Sequence, residues 1–259
     1  MDRKRYLFFD IDGTLLAGTY QNPYVPESAK TALQILRENG NFTCIATSRA
    51  QYMALELMEE LGFENMVSDG GYGITIGGKL LGIKPLDKDA VVRLVHECMR
   101  KNIPWAIQVD NSNIRLSPDG RFDEMTGDKY METKVVVGLS PDDYPQIFKV
   151  FVACYPPVEY TLDALKSLPW CRYDNEYIFV EPTDKASGIR RIMEHLGGDC
   201  SDVIVFGDAY NDMSMFSDQW TNVAMGNAVP ELKARADLVT SDVDKDGIYN
   251  ACVTLGLIR

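Results

Sequence analysis

Short apolar runs alternate with amphipathic ones over the first third of the chain. Tyr6-Leu7-Phe8-Phe9 is apolar throughout and stops at Asp10-Ile11-Asp12-Gly13-Thr14. Such a run, bounded by a turn signal, predicts a strand buried on both faces, as in parallel sheets. From Pro26 to Asn39, Ala29, Leu33 and Leu36 recur at helical spacing, with Pro26 near the start and Gly40 as the stop. Phe42-Thr43-Cys44-Ile45-Ala46 is the next buried strand and ends in Thr47-Ser48-Arg49. A helix through Met53, Leu57 and Leu61 follows, closed by Gly62. A short strand then ends in Val67-Ser68-Asp69-Gly70-Gly71. Gly73 to Ile76 and Lys79 to Ile83, joined by Gly77-Gly78, read as a hairpin. This βαβ order predicts a parallel sheet with right-handed crossovers.

Beyond Pro85 the rhythm changes. A helix from Asp87 to Lys101 carries Val91, Leu94, Val95 and Met99 on its apolar side. Short strand-like pieces follow near 105–109, 113–116, 150–153 and 177–180, with a second helical stretch over about 160–168. Mixed strands and helices of this kind predict a separate α+β unit. The first rhythm then resumes. A helix runs from Asp184 to about Leu196, and a strand over Val203-Ile204-Val205-Phe206 ends in Gly207-Asp208. Two last strand-like segments, Val223 to Ala228 and Ala236 to Thr240, precede a final helix, Ile248 to Leu255. The expected fold class is α/β: a Rossmann-like, doubly wound parallel-sheet core from residues 1–84 and 183–259, with an inserted α+β domain over 85–182.

In such sheets ligands lie at the carboxyl ends of the strands. The first strand delivers Asp10 and Asp12 there. Two acids one apart, followed by Gly-Thr, suit a hard cation and a phosphate, which the glycine turn lets approach closely. Thr47 falls on the same edge, where its hydroxyl and the next amides can donate to a phosphate oxygen, although a threonine so placed is more often a helix cap. Lys185, in the first turn of its helix, opposes the helix dipole, which points to a task or to a solvated surface lysine. Asp208 is followed four residues later by Asp212, and a helix starting there would hold Asn211 and Asp212 close to Asp208. Asp242, Asp244, Asp246 and Gly247 imitate the start of a calcium loop. Its twelfth position, normally a bidentate glutamate, is Val253, so a turn before the last helix is expected instead.

Hydrophobic residues at 46% and charged residues at 25% are ordinary for a globular protein. The net charge of −12 argues against nucleic acid or an anionic membrane as partner. No apolar run reaches the roughly 20 residues that span a bilayer. The basic start, Met1-Asp2-Arg3-Lys4-Arg5, runs straight into the Asp10 strand, so no cleaved signal peptide is expected. Six scattered cysteines with no Cys-x-x-Cys pair read as reduced thiols. A cytoplasmic location is the expectation.

Asp10-Ile11-Asp12-Gly13-Thr14, Thr47-Ser48-Arg49, Lys185 and Gly207-Asp208-Ala209-Tyr210-Asn211-Asp212 together resemble the four motifs of the haloacid dehalogenase (HAD) superfamily of phosphatases. The place of the insert, after the second motif, resembles the Cof-type subfamily with its type-two α/β cap, whose second motif is usually Thr-Gly-Arg. The resemblance implies that Asp10 attacks phosphorus and that Asp12 acts as acid and base. It implies Mg²⁺ held by the Asp10 carboxylate, the Asp12 carbonyl and Asp208, with Asp212 orienting metal-bound water or Lys185. Thr47, Ser48 through its amide, Lys185 and Asn211 would hold the other phosphoryl oxygens. Without a cation, carboxylate and phosphate would repel at roughly 4 kcal/mol per unit pair at 4 Å in an effective dielectric of 20. Oxygen ligands with no nearby His or Cys favour Mg²⁺ over Zn²⁺; His96 and His195 fall in helical patterns. The implied substrate is a small phosphorylated metabolite such as a sugar phosphate. The cap would recognise the leaving group, with Arg49, Asn111, Asn113 and Arg115 as candidates, and no obligate protein partner is expected. The rival readings are a phosphotransferase or phosphomutase, a phosphorylation-controlled regulator, and an inactive sugar-phosphate binder. The insert position disfavours the first, Asp10 on the opening strand the second, and the full set of motif acids the third.

Overall fold

The structure is a computed structural model that describes residues 3–19 and 21–258. Met1-Asp2 of the basic start and the terminal Arg259 lie outside the described residues. Eight strands form one sheet in the order Leu238–Val239, Thr221–Ala224, Val203–Gly207, Tyr6–Phe9, Phe42–Ala46, Met66–Ser68, Gly73–Ile76, Lys79–Ile83. Neighbours are parallel as far as Met66–Ser68, and Gly73–Ile76 turns back antiparallel. Leu7, Phe8 and Phe9 are fully buried because both faces of their strand are covered. Leu7 and Phe9 pack in one cluster with helices Glu27–Glu38, Gln51–Glu60 and Gly247–Thr254, and Phe8 in another with helix Lys185–Leu196. Each such side chain contributes roughly 1.5–3 kcal/mol on burial. The chain builds outward from Tyr6–Phe9 on one side, then returns to add Val203–Gly207 on the other. The carboxyl ends of those two strands therefore form the topological switch point, where a crevice opens.

The second compact unit, Ile83–Thr183, is α+β. Its six-stranded sheet runs Glu132–Val135, Ile114–Ser117, Trp105–Gln108, Lys149–Ala153, Tyr177–Val180, Trp170–Asp174. Helix Lys88–Arg100 packs Val91, Leu94 and Val95 against one face, and Phe122, Phe151, Tyr177 and Phe179 cluster on the other. The architecture is thus a Rossmann-like α/β core interrupted by an α+β insert.

Several local expectations are corrected. Met99 is 52% exposed, so the apolar stripe of its helix is narrower than the spacing implied. The stretch expected as one helix over 160–168 is two 3₁₀ turns, Val158–Thr161 and Asp163–Ser167. Leu162 between them is extended, and the Glu97 carboxylate accepts the Asp163 and Ala164 amides, restarting the turn there. Asn211 and Asp212 sit in a single 3₁₀ turn, Tyr210–Asp212, instead of a helix. No helix among the described residues is long and apolar enough to cross a membrane. All six cysteines are free.

Candidate active site

Asp10 lies one residue past the central strand, buried, with its amide donating to the Phe206 carbonyl of the neighbouring strand at 3.0 Å. Its Oδ1 accepts from Lys185 Nζ at 2.5 Å. Its Oδ2 has no hydrogen-bond partner among the described residues. Lys185 is completely buried at the first position of its helix, with Asp184 as N-cap. That settles between the two sequence readings: it is no surface lysine. The helix start is pressed against the loop after Met66–Ser68, where the Asp184 amide donates to the Gly70 carbonyl. Only a glycine fits at Gly71, since a Cβ there would stand 2.0 Å from the Asp184 carbonyl oxygen.

Lys185 Nζ also donates to Asp212 Oδ1 at 2.6 Å, while Asp212 Oδ2 accepts the amides of Asp208 and Ala209. Both oxygens of Asp212 are therefore spent on holding Lys185 and the Asp208 turn. Asp208 Oδ1 accepts from the Thr14 hydroxyl at 3.1 Å. Gly13 crosses directly over this carboxylate at φ +85°, and a Cβ on it would meet Asp208 Oδ2 at 2.2 Å. One carboxylate oxygen each from Asp10, Asp208 and Asp212 lies within 4.8 Å of the others.

Three carboxylates face one ammonium here. Burial, then Asp212, pushes the Asp10 carboxyl from 3.8 up to about 8, against the pull of Lys185. Burial, then Asp212, likewise raises Asp208 to about 7. Burial works to lower Lys185, but Asp10 and Asp212 outweigh it and hold the ammonium above its ordinary value. The cluster is short of positive charge and offers only oxygen, the donor set of a hard divalent cation.

Thr47 is buried at the end of Phe42–Ala46, and its Oγ1 accepts the Arg49 amide at 3.0 Å in the turn before the next helix, whose N-cap is Ala50 and not Thr47. Its hydroxyl proton has no acceptor among the described residues. Ser48 stands where Cof-type enzymes usually carry glycine, and its backbone is not left-handed. Its hydroxyl lies 3.4 Å from Asn211 Nδ2, which brings the second and fourth motifs together. Asp12 points elsewhere: its side chain is 65% exposed and chelated by Arg49, Nε at 3.0 Å and Nη2 at 2.6 Å. This pairing, across 37 residues, had no signal in the sequence. Of the expected leaving-group contacts, Arg115 is corrected. It is fully buried inside the inserted unit, bound to Asp123 and Asp128, and unavailable to a ligand.

Comparison with known proteins agrees with this geometry. A family profile described as haloacid dehalogenase-like hydrolase matches residues 7–252. YkrA of Bacillus subtilis strain 168, which carries the name of a phosphatase, is 30% identical over the full length of both chains. The pyridoxal phosphate phosphatase YbhA of Escherichia coli K12 is 26% identical, covering 94% of this chain and 96% of its own. A crystal structure from Geobacillus kaustophilus superposes with a TM-score of 0.85 at 32% identity, covering 99% of this chain and all of the other. The HAD subclass IIB sugar phosphatase BT4131 superposes with a TM-score of 0.76 at 25% identity, over 98% and 100% of the two chains. The chain belongs to the haloacid dehalogenase-like hydrolases, as a Cof-type phosphomonoester hydrolase.

Proposed function

We propose that this protein is a Mg²⁺-dependent phosphatase that hydrolyses a small phosphorylated metabolite, a sugar phosphate or similar monoester, through an aspartyl-phosphate on Asp10. One observation carries the reading: Asp10, at the switch point, has one oxygen fixed by a buried lysine and the other free. Asp10 Oδ2 forms the new bond to phosphorus as the ester P–O bond breaks, and Asp12 delivers a proton to the departing oxygen. Asp12 then takes a proton from water, whose oxygen bonds to phosphorus while the Asp10–phosphorus bond breaks. Free phosphate leaves, and both aspartates are restored.

Lys185 neutralises Asp10 and the phosphoryl group, and Thr47, the Ser48 amide and Asn211 donate to the remaining oxygens. Asp10, Asp208 and the Asp12 carbonyl would hold Mg²⁺, with Asp212 fixing Lys185 and the Asp208 turn. When bound, the ion offsets the charge that accumulates between carboxylate and phosphate. Arg49 holds Asp12 in place by two hydrogen bonds until substrate arrives. The inserted unit, 85–182, selects the leaving group as a cap, with Asn111 and Asn113 on its loops as candidate contacts. The sugar phosphatase and the pyridoxal phosphate phosphatase among the relatives support a small metabolite as substrate.

The test is Asp10→Asn. It is expected to abolish hydrolysis of p-nitrophenyl phosphate while circular dichroism stays unchanged. Asp12→Asn is expected to accumulate phosphorylated enzyme, visible by intact mass after acid quench. Substantial turnover by a well-folded Asp10→Asn protein removes Asp10 as the nucleophile.

A further inference from the structure

The turn carrying Gly13 is held from outside by a residue more than 200 positions away. After strand Thr221–Ala224 the chain runs through Met225-Gly226-Asn227-Ala228-Val229, a loop bonded to the acidic site at several points. The Met225 amide donates to the Gly207 carbonyl at 3.0 Å and the Val229 amide to the Asp208 carbonyl at 2.8 Å. The Asn227 side chain then reaches across: Nδ2 donates to the Gly13 carbonyl at 2.9 Å, and Oδ1 accepts the Val243 amide at 2.8 Å. A carbonyl on one side and an amide on the other leave only one orientation of the Asn227 amide.

Gly13 is the residue packed on the Asp208 carboxylate, and Thr14 beside it donates to that carboxylate. A displaced Gly13 therefore moves the wall and the donor of Asp208 together. Asn227 is exposed, so water can replace both of its hydrogen bonds in energy but not in direction. Its loss should cost geometry more than stability.

We infer that Asn227 is a positioning residue of the divalent-cation site: it pins the Gly13 turn against Asp208 and so sets how the acids of the two central strands face one ion. The inference rests on the metal reading above. Mg²⁺ is titrated calorimetrically into the EDTA-stripped full chain and its variants. Asn227→Ala is expected to weaken Mg²⁺ affinity about tenfold, as loss of an outer partner of a metal ligand does. Turnover at saturating Mg²⁺ should stay within a few-fold.

Asn227→Asp supplies the sign. It keeps the acceptor for Val243 but sets a carboxylate against the Gly13 carbonyl, while adding negative charge near the site. Charge alone would tighten Mg²⁺ binding, whereas loss of the brace weakens it. Affinity within twofold of the parent in Asn227→Ala, or tighter binding in Asn227→Asp, overturns the inference. Amide exchange of residues 10–16 in EDTA reads the brace without metal, and both variants should exchange faster. Unchanged exchange also overturns it. A parent that binds no divalent ion refutes the metal reading, and the exchange result still decides whether Asn227 holds the turn.

Discussion

Lys185 in the core and Arg115 in the inserted unit are both fully buried, and each is held by two aspartates. Their surroundings differ in one respect. Around Arg115 the cation is matched by its acceptors, and Asp123 also meets solvent, its side chain 40% exposed. The Arg115 Nε donates to Thr133, its terminal nitrogens to Asp128 and Asp123, and its Cζ lies 4.5 Å from the centre of the Phe122 ring. The second oxygen of Asp128 accepts from Tyr177, and Asp123 also accepts from Thr133. Around Lys185 the network stays open: Asp10 keeps a free oxygen, and Asp10 and Asp208 are both pushed well above the ordinary carboxylate range. A buried ionic network with its partners satisfied rigidifies a fold, whereas one left short of positive charge is poised to take up a cation.

The sharpest way to break this comparison is to remove each cation. Lys185→Met is expected to lower kcat/KM on p-nitrophenyl phosphate by about 10³-fold, the scale on which a fixed donor to developing charge acts. Some stability is lost with the lysine, but the fold should survive, because Asp10 can take up a proton in place of its ion pair and the Asp208 and Ala209 amides still hold Asp212. Arg115→Met should do the reverse. Leaving Asp128 buried without its cation costs about 3 kcal/mol of stability in urea unfolding. Kinetic constants of the folded protein should stay within threefold. A stable Arg115→Met enzyme with 10³-fold lower turnover would erase the distinction between the two clusters.

The same contrast explains what was legible beforehand. The apolar runs at Tyr6–Phe9, Phe42–Ala46 and Val203–Gly207 announced the core sheet because burial on both faces leaves no charged residue in them, and Thr43 is buried with its apolar neighbours. Strands Glu132–Val135 and Trp170–Asp174 were missed because they form the two edges of the inserted sheet and carry mostly exposed or half-buried residues. The acids of the first and fourth motifs stood out by their place after buried strands. The pairing of Lys185 with Asp10 spans 175 residues, so nothing local distinguished that lysine from a solvated one. Arg115 looked like a ligand contact for a similar reason: Tyr177, which completes its network through Asp128, is 49 residues from that aspartate. Sequence registers which strand ends bear charge, and only the fold tells whether that charge is already matched.

The smallest expected effect sharpens the comparison through pH. Without a bound cation, burial and then Asp212 push the Asp208 carboxyl of the folded chain from 3.8 up to about 7. Between those values the folded state keeps a proton that the unfolded chain has lost, so stability falls as pH rises through the window. The contribution is whole below about pH 3.8 and gone once pH passes about 7. Asp208→Asn cannot titrate there. Relative to the parent it should therefore gain stability between pH 5 and pH 8, by on the order of 2 kcal/mol after allowance for partial exposure. Taking the difference cancels acids whose pKa is lowered instead, such as Glu97, held by Lys101 and backbone amides against the opposing effect of burial. Urea unfolding of both proteins in EDTA at the two pH values measures it. Saturating Mg²⁺ should steady the parent most at the alkaline end and leave the variant little changed. A difference that stays flat with pH would mean the Asp208 charge is already balanced, as around Arg115, and that the core cluster has no deficit for a cation to fill.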